Sequence, residues 1–530
     1  MVRPIAIREA VFCLLGAAAA LTTGIEARAA EGYALSFSTY LGGSGGEDTA
    51  RAIAVDADGS IYVSGGTRSP DFPTTPGAYD RTYNGGGRSA GSRGPMDVFV
   101  TKLDPRGRIV WSTLLGGPNY DRTYTIRVDR QGFVYLAGRA GEGFPTTEGT
   151  VQPEFAGDRR RNPAYGTQDG FLTKLSPDGS KVIWSTYFGT PGPAIIRDMD
   201  IDAEGALYVV MIELSQPSPH ITKGAFQQRP PGGMDSLVAK ISPDGRRVVW
   251  CTYLGGSGRD LAPSLRVDAE GRPVVAGSTF SPDFPLTDGA AQRQRRGKQD
   301  AFVTKLAADG SRLIYSTLIG GSKEDGAAGK HGLALDKAGR AFVVGFTSSH
   351  DFPTTPKAFQ RRYGGGTTGT WRQTGDRFIA TVSADGSRVE AATLLGGNAR
   401  DGGEGIEVDA AGRVYLGGLT YSSSFPVTPN AFQSRFGGAA RRHGPMWGGG
   451  DATVVVFSPD LRRTIFSTYM GGRGEDLFRA CAVTDKGEIV LAGSTTSRDW
   501  PTKNAAKSTP AGGPNEVIIA KFRPVALERP

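Results

Sequence analysis

The stretch ALSFSTYLGG, Ala34–Gly43, is ordinary by itself, but its ending returns six times. It comes back as WSTLLGG ending at Gly117, WSTYFGT at Thr190, WCTYLGG at Gly256, YSTLIGG at Gly321, AATLLGG at Gly397 and FSTYMGG at Gly472. Successive copies lie 74, 73, 66, 65, 76 and 75 residues apart. Length alone would suggest three or four domains for 530 residues, but recurrence at a near-constant period points to one repeat architecture.

The same four pieces fill each interval. After the Gly-Gly comes a strand that ends in Asp, as in RAIAVD (Arg51–Asp56), then a tight turn and a second strand, SIYVSGGT (Ser60–Thr67). A long loop leads to a third strand, DVFVTKLD (Asp97–Asp104), a short turn, and RIVWSTLLGG. These runs are short and rich in Val, Ile, Tyr and Phe, and none has a sustained helical period. The turns VDADGSIYV, VDRQGFVYL, IDAEGALYV, VDAEGRPVV, LDKAGRAFV and VDAAGRVYL share Asp, two residues, then Gly. Asp bonds its own turn backbone and Gly supplies a positive φ, which is hairpin chemistry. Each unit is thus a four-stranded antiparallel meander, and seven of them around an axis make an all-β, seven-bladed β-propeller. The last unit runs out after three strands, and its fourth is Ala34–Gly43. The first copy comes early because it closes the ring, which leaves no exposed sheet edge at the seam.

The stretch GGSGGEDTARAIAVDADGSIYVSGGTRSPDFPTTPGAY (Gly42–Tyr79) resembles the SBBP repeat of bacterial exported β-propellers, and the resemblance extends over about residues 32–523. The third unit departs most: GTPGPAIIRDMDID lacks the Gly-Gly, and SPHITKGAF stands where others have DFPTTPGAF-like phrases. The resemblance implies an exported or cell-surface propeller. It implies no established reaction and carries over no catalytic residue.

Residues 1–29 read as an export signal, with Arg3 and Arg8 before the apolar run Val11–Ile25 and a small-x-small site at Ala27–Ala29. Residues 30–530 are then one propeller domain, with no later run long enough to span a membrane. The expected location is the periplasm, the cell surface or the medium. The mature chain keeps two of the three cysteines, Cys251 and Cys481, which fall in blades three and seven. That separation exceeds the ~7 Å Cα limit for a disulfide, so two buried free thiols are expected.

Positions that repeat read as scaffold, and positions that vary read as candidates for function. Phe or Trp before Pro at Phe72, Phe284, Phe352, Phe425 and Trp500 reads as a loop peg, and the stripe Phe37, Trp111, Trp184, Trp250, Tyr315 and Phe466 as packing. The acids Asp48, Asp121, Asp260, Asp325, Asp401 and Asp476 follow the Gly-Gly and either cap their own loops or ring a cation such as Ca2+. Their spacing matches no compact metal loop, so no cofactor is expected. Five residues before the strand-ending Asp, or Thr484 in the last unit, stand Arg51, Tyr124, Arg197, Pro263, His331, Glu404 and Arg479. This register should face the upper channel and presents either a ligand-binding pocket for a small anion or sugar, or a plain solvated lining.

Basic loops precede several third strands, as in Arg293–Gln299 with Arg293, Arg295 and Arg296, and Arg435–Gly444 with Arg441 and Arg442. With a net charge of +8, they either solubilise the chain or contact a polyanion. Enzyme signals are poor. Among four histidines no two have metal-ligand spacing, and no nucleophile elbow, P-loop or dinucleotide fingerprint occurs. The expected function is binding or scaffolding toward an anionic polysaccharide, envelope component or protein partner, by a monomer, with no nucleic acid as natural partner. The alternative is a lyase- or hydrolase-type enzyme at the channel mouth, with His331 and Glu404 as catalytic candidates.

Overall fold

The computed structural model describes residues 30–527, apart from 88–90, 158–162, 193, 214–216, 328, 330, 367–374 and 439–449. The export-signal segment 1–29 therefore lies outside the described residues, as do Lys330, Arg441 and Arg442. Seven antiparallel sheets follow one another in chain order, and six take all their strands from one continuous segment. Blade one is typical, with strands Asp48–Val55, Ile61–Thr67, Val98–Leu103 and Ile109–Leu115. Among the described residues no helix is long and apolar enough to cross a membrane.

The hairpins form as their sequences require. Asp56 accepts from the amides of Asp58 and Ser60 at 3.1 and 2.8 Å, and Gly59 adopts φ 82°. Blade seven comprises Asp476–Val483, Ile489–Thr495 and Glu516–Leu527, and the N-terminal strand Ala30–Leu41 pairs antiparallel with the last of these. The pairing runs from Ala30↔Leu527 to Leu41↔Val517, further than the predicted closing segment. Trp500 Nε1 donates to Ser38 Oγ at 2.8 Å and Tyr40 Oη to the Ser497 carbonyl at 3.0 Å, so the seam is also bolted by side chains.

The core is a set of apolar layers between neighbouring sheets. One joins Ala52 and Tyr62 of blade one to Ile126 and Leu136 of blade two. The aromatic stripe reaches across these layers: the indoles of Trp111, Trp184 and Trp250 donate to carbonyls of Pro177, Pro243 and Ala308 in the next blade's outer turn. Glycine is needed there, because a Cβ on Gly245 would sit 2.7 Å from Trp184, and Gly245 has φ 68°.

The long loops between second and third strands do not simply stand on one face. Thr75 exchanges hydrogen bonds with Ser112 on the fourth strand, Tyr79 donates its amide to Gly179 of the next blade, and Leu114 donates to Asp80 on the way back. Thr147, Thr222, Thr287, Thr355 and Thr428 repeat the contact. Much of each loop is thus a strap over the outer edge strand, where unpaired backbone groups would otherwise be open to another chain. The pegs fasten it: Phe72, Phe284 and Phe352 lie against Phe99, Phe302 and Phe378 with ring centroids 4.4–4.7 Å apart. Phe144, on Phe171 at 4.5 Å, is a further peg that the sequence reading did not count.

Candidate functional site

First strands line the central channel, and each begins at the face where Gly-Gly links cross between blades. After two or three paired residues the register slips: at Arg51, Tyr124, Arg197, Glu404 and Arg479, and across Ala262 and Pro263 in blade four. A bulge turns one extra side chain out of the ladder and re-aims it. The varying register of the sequence is therefore the bulge register, and its side chains meet near the axis.

Blade five departs. Its first strand is broken into Asp325–Ala327 and Leu333–Leu335, and His331 stands six residues after Asp325 where Arg51 stands three after Asp48. His331, at φ 65°, donates from Nε2 to the Tyr124 carbonyl of blade two at 3.0 Å, and its Nδ1 lies 3.5 Å from Asp198 of blade three. Ser264 of blade four bonds Gly329 and Gly332, and Ile406 of blade six donates to the His331 carbonyl. Gly329, His331 and Gly332 thus contact blades two, three, four and six.

Beside His331 is a balanced ionic layer. Arg266 donates to Asp198 at 3.0 Å and reaches Glu407 at 3.4 Å, while Arg127 donates to Asp200 at 3.0 Å. Burial opposes ionisation of Asp198, yet Arg266 and His331 hold its carboxyl well below the usual range.

Around Tyr124 the balance fails. Arg51, Arg122 and Arg139 are 8%, 3% and 5% exposed, and the guanidinium carbons of Arg122, Arg139 and Arg197 lie 5.0, 5.2 and 5.5 Å from the Tyr124 ring centroid. Arg479 pairs with Glu404 at 3.2 Å, and Arg122 donates to Tyr124 Oη at 2.6 Å. Among the described residues no carboxylate or carbonyl accepts from Arg51, Arg139 or Arg197, whose Nε atoms are buried without partners. Burial, with Arg122 and Arg479 nearby, pushes the Arg51 guanidinium down. Burial raises the Tyr124 phenol, but Arg122, Arg139, Arg197 and Arg51 overcome it and draw it down. Arg122 and Arg139 were missed from sequence. They are cross-strand partners, and only the Arg two residues before Tyr124 hinted at them.

The other candidates lie elsewhere. Each Asp after the Gly-Gly caps a crossing: Asp48 accepts from the Gly43 amide at 2.8 Å, Asp260 from Gly256 at 2.7 Å and Ser281 at 2.7 Å. Asp121, Asp325, Asp401 and Asp476 take the equivalent amides of Gly117, Gly321, Gly397 and Gly472. Among the described residues no three His, Cys, Asp or Glu gather as a metal centre would require. Arg293, Arg295 and Arg296 sit on the returning limb of the blade-four strap, where Arg296 donates its amide to Asp300 and Arg293 pairs with Asp288 at 3.1 Å. They belong to the outer part of the crossing face, apart from the channel. Cys251 and Cys481 are both buried and are not joined in a disulfide.

The SBBP β-propeller repeat matches the chain at residues 37–73 and 110–145. The regulatory protein FlaEY of Caulobacter vibrioides is 22% identical over 504 residues, which cover 87% of this chain and 49% of that protein. The chain thus spans about half the length of this curated relative. Among solved structures, the quinohemoprotein alcohol dehydrogenase of Comamonas testosteroni is 12% identical, with 92% of this chain and 76% of that one covered and a TM-score of 0.40. BamB of Moraxella catarrhalis is 9% identical, with 93% and 99% covered and a TM-score of 0.36. A polysaccharide lyase bound to an ulvan fragment is 9% identical, with 87% and 92% covered and a TM-score of 0.43.

Proposed function

We propose that this propeller is an exported binding module that holds an acidic polysaccharide of the cell envelope or surroundings on its crossing face. The observation that supports it is the excess of buried guanidinium over carboxylate at the channel mouth. Arginine stays charged, and removing such charges from water without counter-charge costs several kcal/mol each. A ligand that brings negative charge offsets that cost. The strap arginines of blade four add an outer patch that steers a polyanion toward the same face. His331 has both ring nitrogens directed at protein acceptors, which makes it a strut rather than an acid–base group waiting for substrate.

Retention on immobilised alginate tests this. The wild-type protein should be retained at low salt and released well before 1 M salt, because several ion pairs are screened together. Replacing Arg293, Arg295, Arg296, Arg441 and Arg442 by Ser should lower the releasing salt concentration with little change in melting temperature, since exposed charges contribute little stability. Absence of retention at low salt, or release indifferent to salt, would remove the proposal.

A further inference from the structure

Tyr62 and Tyr135 show how a buried tyrosine is ordinarily held in this fold. They donate to Asp56 and Asp129, each at 3.1 Å, and burial together with those acids keeps both phenols well above the usual range. Tyr124 is placed the other way round. It is buried at the bulge between Thr123 and Thr125, and its Oη accepts from Arg122 Nη2 at 2.6 Å. Arg122 and Arg139 of blade two and the partly buried Arg197 of blade three flank its ring, with guanidinium carbons 5.0, 5.2 and 5.5 Å from the centroid. Arg51 of blade one adds to the positive field there, and Arg479 and Glu404 of blades seven and six stand next to Arg51. Glu404 is already paired with Arg479. Tyr120 and Tyr165 share Arg122, whose guanidinium carbon lies 5.3 and 5.8 Å from their rings. From blade five, His331 donates to the Tyr124 carbonyl and faces Asp198.

We propose that Tyr124 is a buried tyrosinate, the internal counter-ion of the channel-mouth arginines, and that taking up a proton there makes the mouth more positive. Arginine only donates and stays charged, so the groups around this phenol favour the form that only accepts. The bond from Arg122 is short even for a charge-assisted one. Burial opposes the charged form, but Arg122, Arg139, Arg197 and Arg51 outweigh it and draw the phenol down. Tyr120 shows why the charge belongs on Tyr124. Arg122, Arg139 and Arg51 act on it too, but its Oη is buried without a hydrogen-bond partner, and burial keeps its phenol up. A single phenolate does not cancel the arginines around it, so the positive excess remains and varies with pH. The stabilisation has the sign of a depressed acid. It is complete above the unfolded phenol's value of about 10 and is lost as pH falls through the lower folded value.

Near-ultraviolet absorption of the full mature chain tests this, because phenolate absorbs to the red of phenol. At pH 8 the native protein should show the signal of a single tyrosinate. Denaturant at the same pH should abolish it, since an unfolded phenol keeps its proton up to about 10. Acidification of the native protein should remove the signal in one step. Tyr124→Phe should lack the signal, Tyr120→Phe should keep it, and Arg139→Gln should move the step to higher pH. The melting temperature of the wild type should also gain on that of Tyr124→Phe as pH rises from 6 to 9, which a purely structural role of the ring would not produce. If Tyr124→Phe does not fold, the wild type, Tyr120→Phe and Arg139→Gln carry the test. A native wild-type spectrum at pH 8 without tyrosinate would overturn the proposal. So would a signal that persists in Tyr124→Phe, one that is lost in Tyr120→Phe, or a step that stays in place in Arg139→Gln.

Discussion

At the scale of single residues, buried carboxylates set how the fold responds to pH. Burial pushes Asp97, Asp169, Asp235, Asp376 and Asp451, at the starts of third strands, up to about 7. It pushes Asp48, Asp325, Asp401 and Asp476 up to about 6, and Asp121 to about 8. In several of them one oxygen accepts hydrogen bonds while Oδ1 is buried without a partner, which is where a proton would sit. Their folded pKa lies above the unfolded value of about 3.9, so the folded state binds more protons. The stability they contribute is complete below that value and is lost as pH rises through 6 to 8. Asp178 and Asp385 work the other way: serine hydroxyls and turn amides hold them down to about 2, and their contribution is lost as pH falls below about 4. Melting temperature should therefore peak in mildly acid buffer and fall from pH 5 to pH 8. A melting temperature that climbs steadily across that interval would contradict the burial of these acids.

At the scale of strands, the seam is the element on which the ring depends. Removing Ala34–Gly43 takes away most of the ladder with Glu516–Leu527, leaves Phe466 without Leu35, and takes Phe37 and Leu41 out of the core layer shared by blades seven and one. It also strips Trp500 and Tyr40 of their mutual fastening. Each buried large apolar side chain contributes about 1.5–3 kcal/mol, so losing several exceeds the margin of an ordinary domain. Truncation after Arg523 removes only the outer pairs Tyr33↔Pro524 to Ala30↔Leu527. The shorter tail should melt within a few degrees of the intact protein, whereas the strand deletion should melt far lower or fail to fold. Equal melting temperatures in the two truncations would refute closure by the N-terminal strand.

At the scale of the whole molecule, seven sheets converge on one axis, and that convergence separates the cysteines and gathers the arginines. Cys251 lies in the fourth strand of blade three and Cys481 in the first strand of blade seven, 0% and 5% exposed. Burial raises the Cys481 thiol well above its ordinary value, which leaves little reactive thiolate. A thiol reagent should therefore label neither site in the native protein and both after unfolding. Rapid labelling of the native state would mean that blades three or seven open locally.

What the sequence by itself determined is everything that repeats. The Gly-Gly links, the Asp-x-x-Gly turns and the period-2 strands are local chemistry written seven times, so the blade, the number of blades and the closing strand could be counted along the chain. The aromatic stripe and the peg before Pro were legible for the same reason. The varying register at Arg51, Tyr124, Arg197, Pro263, His331, Glu404 and Arg479 was legible as a place, because a departure shows against a repeat. Only the tertiary structure decided what that place is. A one-residue bulge breaks the alternation from which strand faces are read, so the turn of these side chains toward the axis cannot be counted from period 2. Three extra residues in blade five show in the spacing, but that His331 reaches Tyr124 and Asp198 does not. The charge imbalance around Tyr124 is decided last, because Arg122 and Arg139 meet Arg51 and Arg197 only when strands far apart in the chain close into a ring, and Coulomb interactions depend on distance in space rather than along the sequence.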